Sequence, residues 1–116
     1  MYKVNGGNIM VNGKEYRLKY PIREVEEYKN LTIVLIGVPF EDTKTLNNIY
    51  CFDQEGDFLW QAQDIKEVFP NYGESMYACY ESMGILGDTL YATTFFGTCY
   101  HFDPENGKLK DYHFVK

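Results

Sequence analysis

The stretch IYCFDQEGDFLW, residues 49–60, is the clearest indication of the fold, because it has the pattern of two short strands joined by a tight turn. Both halves are rich in aromatic and β-branched residues, which suit a pleated, half-buried surface. Gly56 can adopt a positive φ and so close a three-residue loop between the strands. In that register two pairs of rings face each other on one side of the hairpin, Phe52 with Phe58 and Tyr50 with Trp60.

The same signature returns fifty residues later along the chain. Tyr50-x-Phe52-Asp53 is matched by Tyr100-x-Phe102-Asp103, and a glycine closes the turn after each copy. In the second hairpin we expect Phe102 to face Leu109. The length suits one domain, so we predict a single domain, 1–116, with repeat-like halves at about 31–62 and 88–115.

Turn signals elsewhere separate further strand-like runs. Asn12-Gly13 lies between apolar residues, which is typical of a tight hairpin. The near-continuous apolar run at residues 31–38 indicates a central strand buried on both faces. The helical signal is at residues 64–69, ended by Pro70. We therefore predict an all-β fold, an antiparallel meander of about eight to ten strands forming two packed, propeller-blade-like sheets.

The succession of Tyr-x-Phe-Asp, turn glycine and Trp60 resembles the repeat unit of quinoprotein-type β-propellers. The second copy departs from that pattern, because Asp111 stands where the tryptophan would fall. The string from Pro21 to Trp60 is also similar to small bacterial half-propeller proteins, some of which look like immunity proteins of polymorphic or contact-dependent toxin systems. The resemblance implies a bacterial toxin–antitoxin role carried out by binding.

The charges are unevenly spread along the chain. The net charge is −6, yet residues 41–105 contain twelve acidic and two basic residues, which gives −10. A nucleic-acid backbone would be repelled by this region, so we predict no nucleic-acid partner. A basic protein would be attracted and steered towards it. The alternative is that the acidic residues only keep a small protein soluble.

The compartment is inferred from the start of the chain and from the cysteines. The first ten residues have neither a basic region nor a long apolar run, so no secretory signal is expected. The apolar run at residues 31–40 is far short of the ~20 residues that span a bilayer, so no membrane association is predicted. The three cysteines form no CxxC pair and are expected to be free thiols in the cytoplasm.

Residue patterns for catalysis, cofactors or metal ions lack support. Cys99, His101 and Asp103 alternate on one strand face, but a closed zinc site needs four ligands and no fourth has motif spacing. The two serines lie in no nucleophile elbow, and no phosphate-binding glycine motif occurs. We therefore predict no catalytic residue, no cofactor and no metal, and rank a hydrolase as the least favoured reading.

Two long loops are the candidate recognition elements, at residues 39–48 and 70–76. The candidate partner-binding residues are Glu41 and Asp42 in the first loop and Tyr72 and Glu74 in the second. The favoured function is stoichiometric binding of a basic protein, best exemplified by an immunity protein that neutralises a basic toxin domain. The alternative is a structural or ligand-binding half-propeller that dimerises, which predicts an exposed aromatic edge.

Overall fold

The computed structural model describes residues 2–70 and 77–115, which form eleven strands and one short helix. The elements are β1 Tyr2–Asn5, β2 Asn8–Val11, β3 Lys14–Arg17, β4 Ile22–Tyr28, β5 Leu31–Ile36, β6 Ile49–Phe52, β7 Phe58–Gln61, α1 Ile65–Val68, β8 Tyr80–Leu86, β9 Thr89–Thr94, β10 Thr98–Phe102 and β11 Leu109–Phe114. They build three antiparallel sheets, each a meander in chain order: the first sheet β1–β3, the middle sheet β4–β7 and the third sheet β8–β11.

The sheets stack as layers, with the middle sheet between the other two. Between the first and middle sheets lies a small core of Ile9, Val11, Val34 and Phe52. Between the middle and third sheets lies the larger core, which includes Ile33, Leu35, Ile49, Trp60, Tyr80, Leu90, Tyr100 and Phe102. Because both of its faces are covered, β5 is buried from Thr32 to Ile36, which confirms the predicted central strand.

The all-β prediction is confirmed. The described residues nevertheless form eleven strands in three sheets, whereas the sequence indicated about eight to ten strands in two sheets. The additional layer is the first sheet, whose strands have four residues each and are largely exposed. Strands this short and this polar leave a weak hydrophobic pattern, so only the Asn12-Gly13 turn marked them; both turn residues have positive φ.

The aromatic pairing predicted for the first hairpin is half right. Gly56 has φ 89°, and Phe52 faces Phe58 with ring centroids 6.0 Å apart. Trp60, however, pairs with Cys51 and lies on the opposite face from Tyr50, because the register shifts between Cys51 and Phe52. One extra residue in β7 moves every later side chain to the other face of the sheet.

The second hairpin has the same bulge. Phe102 pairs with Leu109, as predicted, and the register then shifts so that His101 pairs with Asp111. The two hairpins therefore agree in the turn glycine, in the position of the bulge and in the Phe-Asp pair that precedes the turn.

The short helix α1 follows the middle sheet. The Asp64 side chain caps it by accepting a hydrogen bond from the Lys66 amide, and the helix ends before Pro70, where the sequence placed its end. Among the described residues, no helix has the length and hydrophobicity needed to cross a membrane.

Candidate functional site

A cleft of about 880 Å³ opens where the β5–β6 loop, residues 77–79 and the β9–β10 turn meet. Three phenylalanines on its wall are unusually exposed: Phe40 at 93 %, Phe95 at 74 % and Phe96 at 63 %. The rings of Phe95 and Phe96 contact each other edge to face, with centroids 5.7 Å apart. We call this region, defined by Phe40, Phe95 and Phe96, the aromatic cleft; a concave apolar surface of this kind is typical of binding sites.

Asp42 fixes the loop that carries Phe40. Its carboxylate accepts hydrogen bonds from the Tyr20 hydroxyl at 2.5 Å, from the Thr45 hydroxyl at 2.8 Å and from the amides of Lys44 and Thr45. Lys19 adds an ion pair at 3.4 Å. These donors, the Tyr20 hydroxyl foremost, hold the pKa of Asp42 well below its usual range. The loop is therefore held in place by its own acidic residue.

An ion pair joins the middle and third sheets beside the aromatic cleft. The Arg23 guanidinium, on β4, contacts the Glu81 carboxylate, on β8, at 2.8 Å and also donates to the Glu81 backbone oxygen. The same guanidinium lies against Gly37, where an added Cβ would stand only 3.3 Å from it. Gly37 thus leaves room for the arginine that links the two sheets.

Asn48 makes a second, buried link between these sheets. Its side-chain amide donates to the backbone oxygens of Ile36 and Tyr80, each at 2.9 Å, and its side-chain oxygen accepts from the Tyr80 amide at 2.8 Å. Asn48 is fully buried, so these bonds satisfy polar groups that water cannot reach. The end of the β5–β6 loop is therefore attached to the first residue of β8.

The charge segregation along the chain is partly neutralised in space. Every ion pair among the described residues joins a base from residues 1–40 to an acid from residues 41–105: Lys14–Asp57, Lys19–Asp42, Arg23–Glu81 and Lys29–Glu105. Asp53 and Asp103 instead accept backbone hydrogen bonds within the two repeated turns. The acidic central region is thus not one uninterrupted negative surface.

The predicted partner-binding residues fall into three different situations. Glu41 is exposed and follows Phe40 in the chain, but it is not among the residues that line the aromatic cleft. Asp42 lines the cleft, but its carboxylate is engaged by the loop. Tyr72 and Glu74 lie outside the described residues. Sequence reasoning did not select Phe40, Phe95 and Phe96, although two adjacent phenylalanines before Gly97, at a strand end, were a usable signal.

A second group of reactive side chains lies on the outer face of the third sheet. Cys99 and His101 are two residues apart on β10, and Cys99 pairs across the ladder with His113 on β11. The His101 Nε2 and His113 Nδ1 atoms are 2.7 Å apart, and the Cys99 sulfur lies within 4.8 Å of both. Asp103, which the sequence placed on this face, is instead occupied with the amide of Glu105 in the turn.

Burial shifts the pKa of His101, which belongs to this group, and the pKa values of two cysteines outside it. Burial and the neighbouring His113 lower the pKa of His101, which favours the neutral imidazole. Burial raises the pKa of Cys51 to about 12 and also raises that of Cys79. A raised pKa is the reverse of what activates a cysteine nucleophile, so neither thiol is prepared for covalent chemistry.

Comparison with solved structures gives a likeness of fold. The crystal structure of the computationally designed Ika8 protein superposes with a TM-score of 0.61 at 11 % identity, covering 96 % of this chain and 33 % of the other. The chain therefore spans about a third of the length of that designed protein. The sequence has no significant match among curated proteins. The model of one sequence family does match, over residues 1–114, and the chain accordingly belongs to the family described as "Domain of unknown function (DUF7957)".

Proposed function

We propose that this protein acts by binding, without catalysis, and that it holds a basic protein partner at the aromatic cleft in the manner of an immunity protein that neutralises a toxin domain. The observation that carries the proposal is the exposure of three phenylalanines on one concave wall. Fully burying one such side chain contributes roughly 1.5–3 kcal/mol. Three of them at the centre of an interface would supply its anchors.

The hydrogen bonds that hold the β5–β6 loop support recognition by a rigid surface. Asp42 holds the β5–β6 loop, and Asn48 ties that loop to the third sheet. A surface whose backbone is already ordered loses little conformational entropy when a partner binds, so more of the contact energy appears as affinity.

The negative charge of the protein favours a basic partner by speeding diffusional association, and not by forming ion pairs inside the cleft. The ions lining the aromatic cleft are largely paired, Arg23 with Glu81 and Asp42 with Lys19. The protein as a whole still carries −6, and the exposed Glu41 lies between two residues that line the cleft, Phe40 and Asp42. A cationic protein would be steered towards this surface at low salt, and the steering would weaken as the Debye length falls to about 8 Å at physiological ionic strength.

The experiment compares three baits in affinity capture from the source organism: wild type, Phe95→Ala/Phe96→Ala, and Phe114→Ala. Phe114 is the matched control, because it is 62 % exposed on β11 but does not line the cleft. A partner of the cleft is retained by wild type and by the control and lost from the double variant. With the captured protein purified, the double variant should raise the off-rate by more than about a hundredfold, because two such side chains together contribute at least about 3 kcal/mol.

The charge contribution is measured on the same complex. Glu41→Lys should lower the on-rate at low salt, whereas Glu55→Lys, at the exposed β6–β7 turn, should lower it less. Expression of the partner with and without this protein then tests neutralisation, since a toxin should arrest growth only when it is alone. Equal binding by the wild type and the cleft variant, or an acidic partner, contradicts the proposal.

The dimerising half-propeller remains a second candidate because of one observation. Phe58 on β7 and Phe114 on β11 are 50 % and 62 % exposed, and both strands are sheet edges. This is the exposed aromatic edge that the alternative requires. Light scattering coupled to size-exclusion chromatography distinguishes the two: a dimer that Phe114→Ala converts to monomer favours self-association, and a monomer at all concentrations excludes it.

A further inference from the structure

We infer that Cys99, His101 and His113 form a binding site for Zn²⁺ on the outer face of the third sheet. The three residues have the donor atoms that zinc prefers, one sulfur and two imidazole nitrogens. They include both histidines of the chain and one of its three cysteines.

The sheet itself brings the ligands together. Cys99 and His101 are two positions apart on β10, so their side chains point to the same face. His113 is directly opposite Cys99 on β11, within the same ladder. The three ligand atoms consequently lie within 4.8 Å of one another, on a backbone whose hydrogen bonds set the spacing.

The distances suit a tetrahedral ion after small side-chain rotations. Zn–N bonds of about 2.0–2.1 Å and a Zn–S bond of about 2.3 Å place ligand atoms about 3.3–3.6 Å apart in a tetrahedron. The two imidazole nitrogens, now 2.7 Å apart, must separate slightly, and the sulfur must approach. His113 is exposed and therefore free to make that adjustment.

The residues around the three ligands favour zinc binding but leave one coordination position of the ion open. The Tyr91 ring contacts the His101 ring edge to face, with centroids 4.8 Å apart, and so restricts its orientation. Asp111 lies opposite His101 across the ladder and adds a negative charge on the same face. Three protein ligands leave the fourth position to water or to another ligand, which is the arrangement of an accessible site rather than of a structural one.

The site is separate from the proposed recognition surface. None of the three ligands lines the aromatic cleft. Zinc binding and partner binding can therefore be measured independently, and failure of one leaves the other standing.

Titration of the purified, reduced protein with ZnCl₂ in a calorimeter tests the inference. We expect one ion per chain. Cys99→Ser, His101→Gln and His113→Gln should each weaken binding at least about tenfold, because losing a residue that only supports a ligand already costs about 10–100-fold, and each of these variants removes a ligand itself. Cys79→Ser is the matched control, because this half-buried thiol lies outside the cluster, and it should bind as wild type does.

Substitution by Co²⁺ identifies the ligands directly. The intense visible absorption of a tetrahedral cobalt site and a sulfur-to-cobalt charge-transfer band should appear with wild type and Cys79→Ser. The charge-transfer band should vanish with Cys99→Ser. Thermal melts verify that every variant is folded. His113→Gln is the decisive variant, because replacing an exposed side chain should leave the fold intact and so affect zinc binding alone. Absence of saturable binding by wild type, or binding by Cys99→Ser and His113→Gln as strong as that of wild type, overturns the inference.

Discussion

Corresponding faces of the middle and third sheets differ in polarity. Six positions of the middle sheet and six of the third correspond through the shared strand order and register. In the middle sheet they are Ile33, Leu35, Ile49, Cys51, Trp60 and Ala62, all buried in the larger core. In the third sheet they are Tyr91, Thr93, Cys99, His101, Asp111 and His113.

This difference in polarity explains why the stack of sheets ends at the third sheet. The backbone of the two sheets is alike, even to the bulge in the second hairpin, so the backbone does not decide whether another layer follows. An apolar face must be covered to remove it from water, whereas a polar face need not be. Within the described residues no further layer covers the third sheet, and its polar side chains are left to contact one another and solvent.

The largest expected effect on stability comes from replacing Trp60, compared with Asp111 at the corresponding position of the third sheet. Trp60 is 7 % exposed, donates a hydrogen bond to the Pro104 backbone oxygen at 3.2 Å and packs on Gly107. Trp60→Ala should lower the free energy of unfolding by about 3–5 kcal/mol. Asp111→Ala, at the equivalent exposed position, should change it by no more than about 0.5 kcal/mol. Chemical denaturation measures both, and similar losses would mean that the two faces do not differ as described.

The turn glycines provide a second, intermediate test. Gly107 has φ 73°, and an added Cβ would overlap the Trp60 ring. Gly107→Ala should therefore cost about 2–4 kcal/mol, from strain at positive φ together with overpacking. Gly87, at φ 64° in the same sheet, has open space around it, so Gly87→Ala isolates the backbone strain at about 1–2 kcal/mol. Equal losses in denaturant melts would show that the contact between the sheets contributes nothing.

The smallest expected effect concerns a polar atom inside the covered core. The Tyr80 side chain is buried, and its hydroxyl has no hydrogen-bond partner among the described residues. Burial correspondingly raises the pKa of Tyr80. Tyr80→Phe removes an unsatisfied group and keeps the ring, so the free energy of unfolding should stay constant or rise by up to about 1 kcal/mol. Tyr91→Phe on the open face is the control, with a change within about 0.5 kcal/mol. A loss above about 1 kcal/mol for Tyr80→Phe would reveal a partner for the hydroxyl.

Local sequence patterns were enough for the fold class and for several contacts. Alternation and turn residues act over a few positions, which is why the Asn12-Gly13 hairpin, the buried β5 strand and the Phe102–Leu109 pair follow from the sequence. The bulge in each hairpin is different. No residue type marks it, and because the side-chain period of a strand is two, one extra residue placed Trp60 on the face opposite to the one predicted.

Patterns in the sequence were sufficient for an all-β chain with two similar hairpins, a net charge of −6 and the long connection between β5 and β6. Which side chains meet, by contrast, depends on how the folded chain packs. Stacking of the sheets brought Phe40 to Phe95 and Phe96 and paired N-terminal bases with central acids, and strand pairing brought His113 to Cys99 and His101. The physical reason is range: propensities and turns act between near neighbours, whereas a binding surface is assembled from residues far apart in sequence, whose meeting depends on register and on layer packing.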